Sequence, residues 1–238
     1  MLHGPCLPIA RRVTLATERR LLLLLLLAAV AAAQLPWHQD FEDQLPGQSP
    51  RGWSVAWGDP GDDLLLVSNL RALTGAHSLL LDRQSGEQSP MAGYSTRFAN
   101  APNRWVAFAV GLLIQGKADS VRFGLELRGA NPGDRVLAVG IDGRKVSLTA
   151  VAAKESVALG EYEEDGWHRL RLWLPTAGGG QKEAMARLDS RQPGQLCRVP
   201  CQAPPSGWGT FMPVTYPGKR GYLLFLDDLS AAVGDAPN

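Results

Sequence analysis

The sequence has few of the residues that carry enzyme chemistry. Its 238 residues include three cysteines and four histidines. The Gly-x-Ser-x-Gly turn of serine hydrolases, the His-Glu-x-x-His zinc motif, the phosphate-binding loop and the dinucleotide fingerprint are all absent from the sequence. We therefore predict that the protein is not an enzyme.

An excess of charge of one sign is also lacking. The chain has 24 basic and 23 acidic residues, of which four and one lie in the first 33, so the other 205 residues carry a net charge of −2. Binding of DNA or RNA requires a clustered basic face. We predict no nucleic-acid partner.

The apolar run near the N-terminus is too short for a transmembrane helix, which needs about 20 residues. It extends from Leu21 to Ala33, which is 13 residues. Four arginines precede it, and small residues end it, with Ala31 and Ala33 where signal peptidase cleaves. We predict that residues 1–33 are a signal peptide and that the protein is secreted or periplasmic, with membrane contact only through the cleaved leader. An uncleaved anchor is the alternative.

Only two cysteines remain after the leader, Cys197 and Cys201. An even number of thiols in an oxidising compartment favours a disulfide, and we predict one between these two residues. The alternative is a pair of metal ligands, although a closed zinc site needs four ligands.

Short runs of alternating apolar and polar residues recur after the leader, and long helical patterns are absent. Examples are 121–128, 135–141 and 146–150. The pair Asp142-Gly143 predicts a hairpin between the last two. The run 105–114 is apolar on both faces, which indicates a central strand. We predict that residues 34–238 form a single all-β domain, an antiparallel β-sandwich of the jelly-roll type.

Short motifs also follow one another in a recognisable order. They are Asp40-Phe41-Glu42-Asp43 with Gly52-Trp53, then Gly75-Ala76-His77-Ser78-Leu79-Leu80-Leu81, Gly166-Trp167-His168-Arg169-Leu170, and the closing Tyr222-Leu223-Leu224-Phe225-Leu226-Asp227-Asp228-Leu229. Together they resemble the concanavalin A-like lectin and laminin-G-like jelly-roll domains of exported bacterial proteins. The resemblance implies a sandwich that, in related carbohydrate-binding modules, holds a structural calcium ion. Glycosidases of this superfamily carry a Glu-x-Asp-x-x-Glu strand, which this sequence lacks.

Acidic residues stand in the first and the last of these motifs. The first and last strands of a jelly roll commonly lie side by side, which would bring four carboxylates together: Asp40, Glu42, Asp227 and Asp228. Grouped carboxylate oxygens suit Ca²⁺, so these residues predict a structural calcium site. The alternative is that the aspartates cap a strand end or a turn.

In the strand predicted at 167–174, three leucines lie on one face and two tryptophans and two arginines lie on the other. If its leucines enter the core, the outer face holds Trp167, Arg169, Arg171 and Trp173. Aromatic rings stack on sugars and arginine donates to hydroxyls or carboxylates, so we predict a glycan-binding platform here. A long ordered loop or an interrupted edge is predicted at 193–217 from its six prolines, with Trp208 as a further glycan contact. The alternatives are that the rings pack under other segments or that arginine stems cover them.

These observations predict an exported, non-catalytic binding module whose partner is a glycan or polysaccharide. One alternative is a structural protein that docks to an extracellular protein through the same tryptophan and arginine face. Another is a divergent glycoside hydrolase or polysaccharide lyase that uses carboxylates of the acidic cluster 161–165. Solvated surface charge is the other interpretation of that cluster.

Overall fold

The computed structural model describes residues 36–58, 64–83, 92–97, 105–131, 134–176, 180–216, 221–234 and 237. Among these residues there is no α-helix, only one turn of 3₁₀-helix at Ala118–Ser120. No helix in this part of the chain could therefore cross a membrane. The predicted leader, with Ala31 and Ala33, lies outside the described residues and stays a prediction.

The strands form two antiparallel sheets. In spatial order the eight-stranded sheet contains β13 (Cys197–Pro200), β12 (Glu183–Asp189), β11 (His168–Leu174), β6 (Trp105–Gly116), β15 (Tyr222–Gly234), β4 (Ser78–Asp82) and β3 (Leu64–Ser68), while β1 (Trp37–Gln39) also pairs with β15. The prediction of a central strand is confirmed by β6, which pairs with β11 on one side and with β15 on the other.

The seven-stranded sheet packs against the eight-stranded one. In spatial order it contains β10 (Glu155–Glu161), β9 (Lys145–Ala150), β8 (Arg135–Asp142), β7 (Arg122–Gly129), β14 (Trp208–Thr215), β5 (Ala92–Arg97) and β2 (Ser54–Gly58). The predicted hairpin is confirmed: Asp142 pairs with Lys145, and Gly143 takes the positive φ of 60° that the tight turn requires.

The core lies between the sheets because each strand turns alternate side chains inward. In β7, Phe123, Leu125 and Leu127 are buried. The rings of Phe108 and Phe211, one from each sheet, lie with centroids 4.9 Å apart and join the two layers. The predicted all-β antiparallel sandwich is confirmed.

The proline-rich stretch 193–217 is not one long loop, because it contains β13 and β14. Its first strand, β13, does lie at an edge of the eight-stranded sheet, as the alternative of an interrupted edge predicted. Strand β14 lies between β7 and β5 and is buried along its whole length. Most of the prolines fall between strands or at strand ends, where no ladder donor is needed. Only Pro213 stands inside β14, opposite Leu125 of β7.

Candidate functional site

The predicted glycan platform lies on the outer face of the eight-stranded sheet. In β11, burial alternates so that Leu170 and Leu172 enter the core while Arg169, Arg171 and Trp173 face outward. The sequence therefore predicted the orientation of this strand correctly. Trp167 stands just before the strand, and is partly buried.

The side chains of this platform are occupied by one another and by their neighbours. Trp167 packs against a small apolar cluster of Leu80, Leu113 and Phe225. The guanidinium of Arg169 forms an ion pair with Asp228. These contacts stabilise the fold and leave less of the face free for a sugar.

The side chains at the Trp173 end of the platform are also occupied by contacts with their neighbours. Arg171 and Arg187 both pair with Asp189, at 3.4 and 2.7 Å. The guanidinium carbon of Arg187 also lies 6.0 Å from the ring centroid of Trp173, at the outer limit of a cation–π contact. The alternative in which arginine stems cover the ring is therefore the better description of Trp173.

Trp208 is not available to a ligand. Its side chain is 0% exposed, and its indole Nε1 donates a hydrogen bond of 2.5 Å to the carbonyl oxygen of Pro175. The prediction that Trp208 contacts a glycan is wrong because this residue begins the buried strand β14 instead of standing on a loop.

Two of the acidic residues predicted to bind calcium hold the loop 73–77 through hydrogen bonds to its backbone. Glu42 accepts hydrogen bonds from the backbone N–H groups of Ala76 and His77, at 2.9 and 2.8 Å. Asp227 accepts from Leu73 and Thr74, at 2.7 and 3.0 Å. Burial raises the pKa of Asp227 although these N–H donors favour the carboxylate. Backbone donors thus satisfy a carboxylate placed on an apolar face.

The other two acidic residues are also engaged. Asp228 accepts from His38 at 2.7 Å and pairs with Arg169, and Asp40 accepts from the backbone N–H of Glu42 at 3.2 Å. The first and last strands do lie side by side, as β1 pairs with β15. In the described part of the chain, no group of three or more His, Cys, Asp or Glu side chains is arranged to hold a metal ion. The calcium site stays a prediction, which a chelator-sensitive melting temperature would support.

The predicted disulfide is not formed, and Cys197 and Cys201 are both buried free thiols. Cys197 opens the extended strand β13 and Cys201 follows its end. Four residues of extended chain span about 13 Å, whereas the Cα atoms of a disulfide lie within about 7 Å of each other. Burial raises the pKa of the Cys201 thiol to about 12, which makes this thiol unreactive.

The outer face of the seven-stranded sheet contains a groove that sequence analysis missed. A row of small residues crosses four adjacent strands, with Gly124 paired to Gly140, Gly140 to Ser147 and Ser147 to Ala158. Three strand spacings make the row about 14 Å long. Glycine weakens a strand and marks places where a ligand approaches the backbone. Gly140, Ser147 and Ala158 of this row line a groove with a volume of about 1210 Å³, and Gly124 continues the row at one end.

One rim of this groove is charged. The next row of paired residues toward the strand ends is Arg122, Asp142, Lys145 and Glu161, all exposed. Positive and negative groups alternate along it, which suits a polar polymer with hydroxyl and carboxylate groups. Glu161 belongs to the acidic cluster singled out in the sequence.

Tyr216 lies over the floor at one end of the groove. A Cβ atom added to Gly124 would stand 3.0 Å from the Tyr216 hydroxyl oxygen, so the phenol occupies the space that a side chain would take. The guanidinium carbon of Arg122 lies 5.6 Å from the ring centroid. The positive charge of Arg135 also acts on the phenol and opposes the rise of its pKa caused by burial. A phenol beside a guanidinium group can exchange a proton beside a bound anion.

Beneath the phenol lies a compact ion triad. Glu126 is 3% exposed, and its two carboxylate oxygens bind different arginines: Oε2 accepts from Arg128 at 2.5 Å and Oε1 from Arg135 at 2.9 Å. Burial and the charge of Glu126 raise the pKa of Tyr216, while Arg135 and Arg122 act in the opposite direction. Tyr216 therefore keeps its proton at neutral pH.

A second cleft, of about 790 Å³, lies beside β1 and β2. Its charged groups are paired with each other, since Arg51 binds the carboxylate of Asp43 at 2.7 Å and His38 binds Asp228. Its polar lining is therefore better satisfied than that of the groove, where Tyr216 and Arg122 face the open volume. We take the groove as the candidate site.

Comparison with known proteins gives no match in sequence. No protein-family model matches the chain, and no curated protein matches it. Similarity is found at the level of the fold alone.

Several solved structures share this fold. An endo-β-1,4-glucuronan lyase from the fungus Trichoderma reesei has a TM-score of 0.57 at 10% identity, over 83% of this chain and 95% of the lyase. A PL-14 alginate lyase from Aplysia kurodai scores 0.56 at 10% identity, over 85% and 100%. The cellulose-induced protein Cip1 scores 0.55 at 12% identity, over 85% and 99%. These likenesses show the β-sandwich fold and do not single out the narrower concanavalin A-like or laminin-G-like group.

The prediction that the protein is not an enzyme is contradicted by this comparison, because two of the three structures are polysaccharide lyases. The motifs that the sequence lacks belong to hydrolases and nucleotide-binding enzymes built on other folds, and a fold does not fix one chemistry. Their absence was therefore no ground for excluding catalysis on a β-sandwich.

Proposed function

We propose that the protein binds a linear, carboxylated polysaccharide in the groove of the seven-stranded sheet and cleaves it by β-elimination. The observation that carries the proposal is the Tyr216 phenol, which lies over Gly124 and beside Arg122 at one end of the groove. The shared fold of the glucuronan and alginate lyases supports the same reaction class.

The binding step follows from the shape of the groove. Small residues across four strands leave room for a polymer to lie against the backbone of the sheet, at right angles to the strands. The charged rim donates and accepts hydrogen bonds along the polymer. Arg122 provides planar donors that match a carboxylate, so a uronate unit would sit beside Tyr216.

The chemical step needs one proton acceptor and one proton donor. The phenolate of Tyr216 takes the proton from the carbon next to the carboxylate, whose negative charge the guanidinium group of Arg122 balances. The bond between the neighbouring carbon and the glycosidic oxygen then breaks, a carbon–carbon double bond forms, and the phenol returns its proton to the leaving oxygen. Because the pKa of Tyr216 is raised, the rate should increase as the pH rises toward that pKa.

The test is an assay for the new double bond. Glucuronan, alginate and neutral polysaccharides are incubated with the protein, and the ultraviolet absorbance of the unsaturated product is followed. We expect product from carboxylated polymers only, and a loss of about 100-fold or more with Tyr216→Phe, the range of general acid–base catalysis. Trp173→Phe, on the other sheet, is the matched control with unchanged turnover. No product from any carboxylated polymer would refute the proposal.

The exported location of the protein also remains a proposal, supported by the leader-like residues 1–33. A polysaccharide outside the cytoplasm would be accessible to a protein with such a leader. Detection of mature protein that begins after Ala33 in the periplasm or medium would establish it.

A further inference from the structure

We propose that the groove binds an extended β-1,4-linked polyuronate with one sugar unit over each strand, and that Lys145 pairs with the carboxylate two units away from the one held by Arg122. The inference deepens the proposed function and rests on it for the place of the polymer in the groove. It states which carboxylates are recognised, and it makes Lys145 a specificity-determining residue two strands away from the strand that holds Arg122.

The first argument is the register of the charged rim. Arg122 of β7 is paired with Asp142 of β8, Asp142 with Lys145 of β9, and Lys145 with Glu161 of β10. Residues paired directly across antiparallel strands share a face of the sheet, and all four line the groove. Cations therefore stand on every second strand, with a carboxylate on the strand between them.

The second argument is the match in length between the sheet and the polymer. Neighbouring strands are about 4.8 Å apart, which is close to the length that one β-1,4-linked sugar unit adds to an extended chain. A polymer that crosses the strands at right angles thus places one unit over each strand. Arg122 and Lys145 are two strand spacings apart, about 10 Å, so they meet the first and the third unit.

The orientation of successive sugar units accounts for the acid between the two cations. Neighbouring units of an extended β-1,4-linked chain face opposite ways, so the carboxylates of the first and third units lie on the same side, toward Arg122 and Lys145. The second unit turns its carboxylate away and presents hydroxyl groups, which donate hydrogen bonds to Asp142. A polymer with every carboxylate on this side would be repelled by Asp142.

Lys145 is available for such a contact. It is exposed, and within the described part of the chain it takes part in no ion pair. The adjacent Arg144 differs, because its guanidinium binds the carboxylate of Glu164 at 2.9 Å. Arg122 lies beside the Tyr216 ring and so holds the unit at which the proposed elimination occurs. Lys145 should therefore affect affinity and KM, but not kcat.

Oligosaccharides of defined length test the spacing. Isothermal titration calorimetry at low ionic strength measures the affinity for β-1,4-linked glucuronate chains of two, three and four units. We expect affinity to rise about fivefold at the third unit, the upper range for an exposed ion pair, and to change little at the fourth, which lies over Glu161. A trisaccharide with uronate at both ends and a neutral sugar between them should bind as tightly as the homotrimer. An equal rise with every added unit would contradict the inference.

Charge variants separate the position of the cation from the amount of charge. Lys145→Gln should abolish the rise at the third unit, while Arg144→Gln, which removes the same charge from the adjacent residue, should retain it. The double variant Asp142→Lys, Lys145→Asp keeps the net charge and an opposite-charge pair across the hairpin but moves the cation to β8, and it should also lose the rise. A rise retained in this double variant would overturn the inference. Should it fail to fold, an equal length dependence in Lys145→Gln and Arg144→Gln would overturn it as well.

The β-elimination assay distinguishes failure of this inference from failure of the proposed function. Unsaturated product from carboxylated polymers, with the same KM in Lys145→Gln as in the wild type, would refute the spacing and leave the elimination in place. A rise at the third unit that depends on Lys145, with no unsaturated product from any polymer, would refute the elimination and support the spacing. A lack of binding by every uronate oligosaccharide would overturn both.

Discussion

On the eight-stranded sheet the outward residues of β11 are large and charged, whereas on the seven-stranded sheet one row of small outward residues crosses β7, β8 and β9 beside a row of charged ones. The large residues bind one another: Arg169 pairs with Asp228, and Arg187 lies beside Trp173. The small ones, Gly140 and Ser147 among them, leave a groove. Tryptophans and arginines on the outer face of a sheet thus do not by themselves form a binding surface, because a ligand also needs space and unsatisfied polar groups.

A large side chain on the floor of the groove should remove most of the affinity for polysaccharide. Ser147→Trp places a large ring on the floor between Gly140 and Ala158, and we expect carboxylated polysaccharide affinity to fall by about 100-fold, close to 2.7 kcal/mol. Binding can be measured by isothermal titration calorimetry. The matched change on the other sheet, Arg171→Trp, should leave affinity unchanged. The reverse pattern would return the binding site to the β11 face.

The two faces should also differ in what their residues do for stability. Trp167→Ala removes a ring that packs on Leu80, Leu113 and Phe225, and we expect the free energy of unfolding to fall by about 2 kcal/mol. Denaturant unfolding measures this loss, and polysaccharide turnover by the folded protein should not change. A loss of polysaccharide binding without a loss of stability would show that Trp167 is a ligand contact.

A single methyl group at Gly124 tests how closely turnover depends on the position of the Tyr216 hydroxyl. In Gly124→Ala the new Cβ would be 3.0 Å from the Tyr216 hydroxyl, which must shift by a few tenths of an ångström. We expect kcat to fall by about tenfold, because small displacements of a reacting group are costly, with little change in KM. Gly140→Ala, whose Cβ would meet only Ser147 Oγ at 3.3 Å, is the control and should retain kcat.

We expect only a small effect of Asp228, on the eight-stranded sheet, on the stability of the protein at acidic pH. Burial alone would raise the pKa of Asp228, but hydrogen bonds from Arg169 and His38 outweigh it and hold the pKa below its usual value. The stabilisation is therefore complete above the ordinary aspartate pKa of about 4 and is lost as the pH falls through the lower folded-state value. Asp228→Asn should remove this acid component from melting curves recorded against pH. Identical pH dependence in both proteins would contradict it.

The sandwich was predictable because its signals are local. Alternation in 121–128 and the Asp142-Gly143 turn depend on neighbours in sequence, and they gave the correct faces and the correct hairpin. The register inside that hairpin even places Gly140 opposite Ser147. Outward glycines on two neighbouring strands were a signal for the groove that could have been recognised.

The site itself was not predictable because it joins distant segments. Tyr216 follows β14, whose pairing with β7 brings together residues about 90 positions apart in the chain. Nothing local in the proline-rich stretch distinguishes Tyr216, at the edge of the groove, from Trp208, in the core. Similarly, the calcium hypothesis recognised that β1 meets β15, but backbone N–H groups of the loop 73–77, invisible in composition, engage Glu42 and Asp227.

The pairing of β1 with β15 has a consequence for how the chain folds. His38 and Asp228 are 190 positions apart, so β1 cannot pair with β15 until a further 190 positions of the chain have been synthesised. Hairpins such as β8–β9 can form within microseconds, whereas closure of so large a loop makes assembly of the eight-stranded sheet the slow event. Deletion of β15 would therefore release β1 as well, and nascent chains would stay protease-sensitive until β15 has been synthesised.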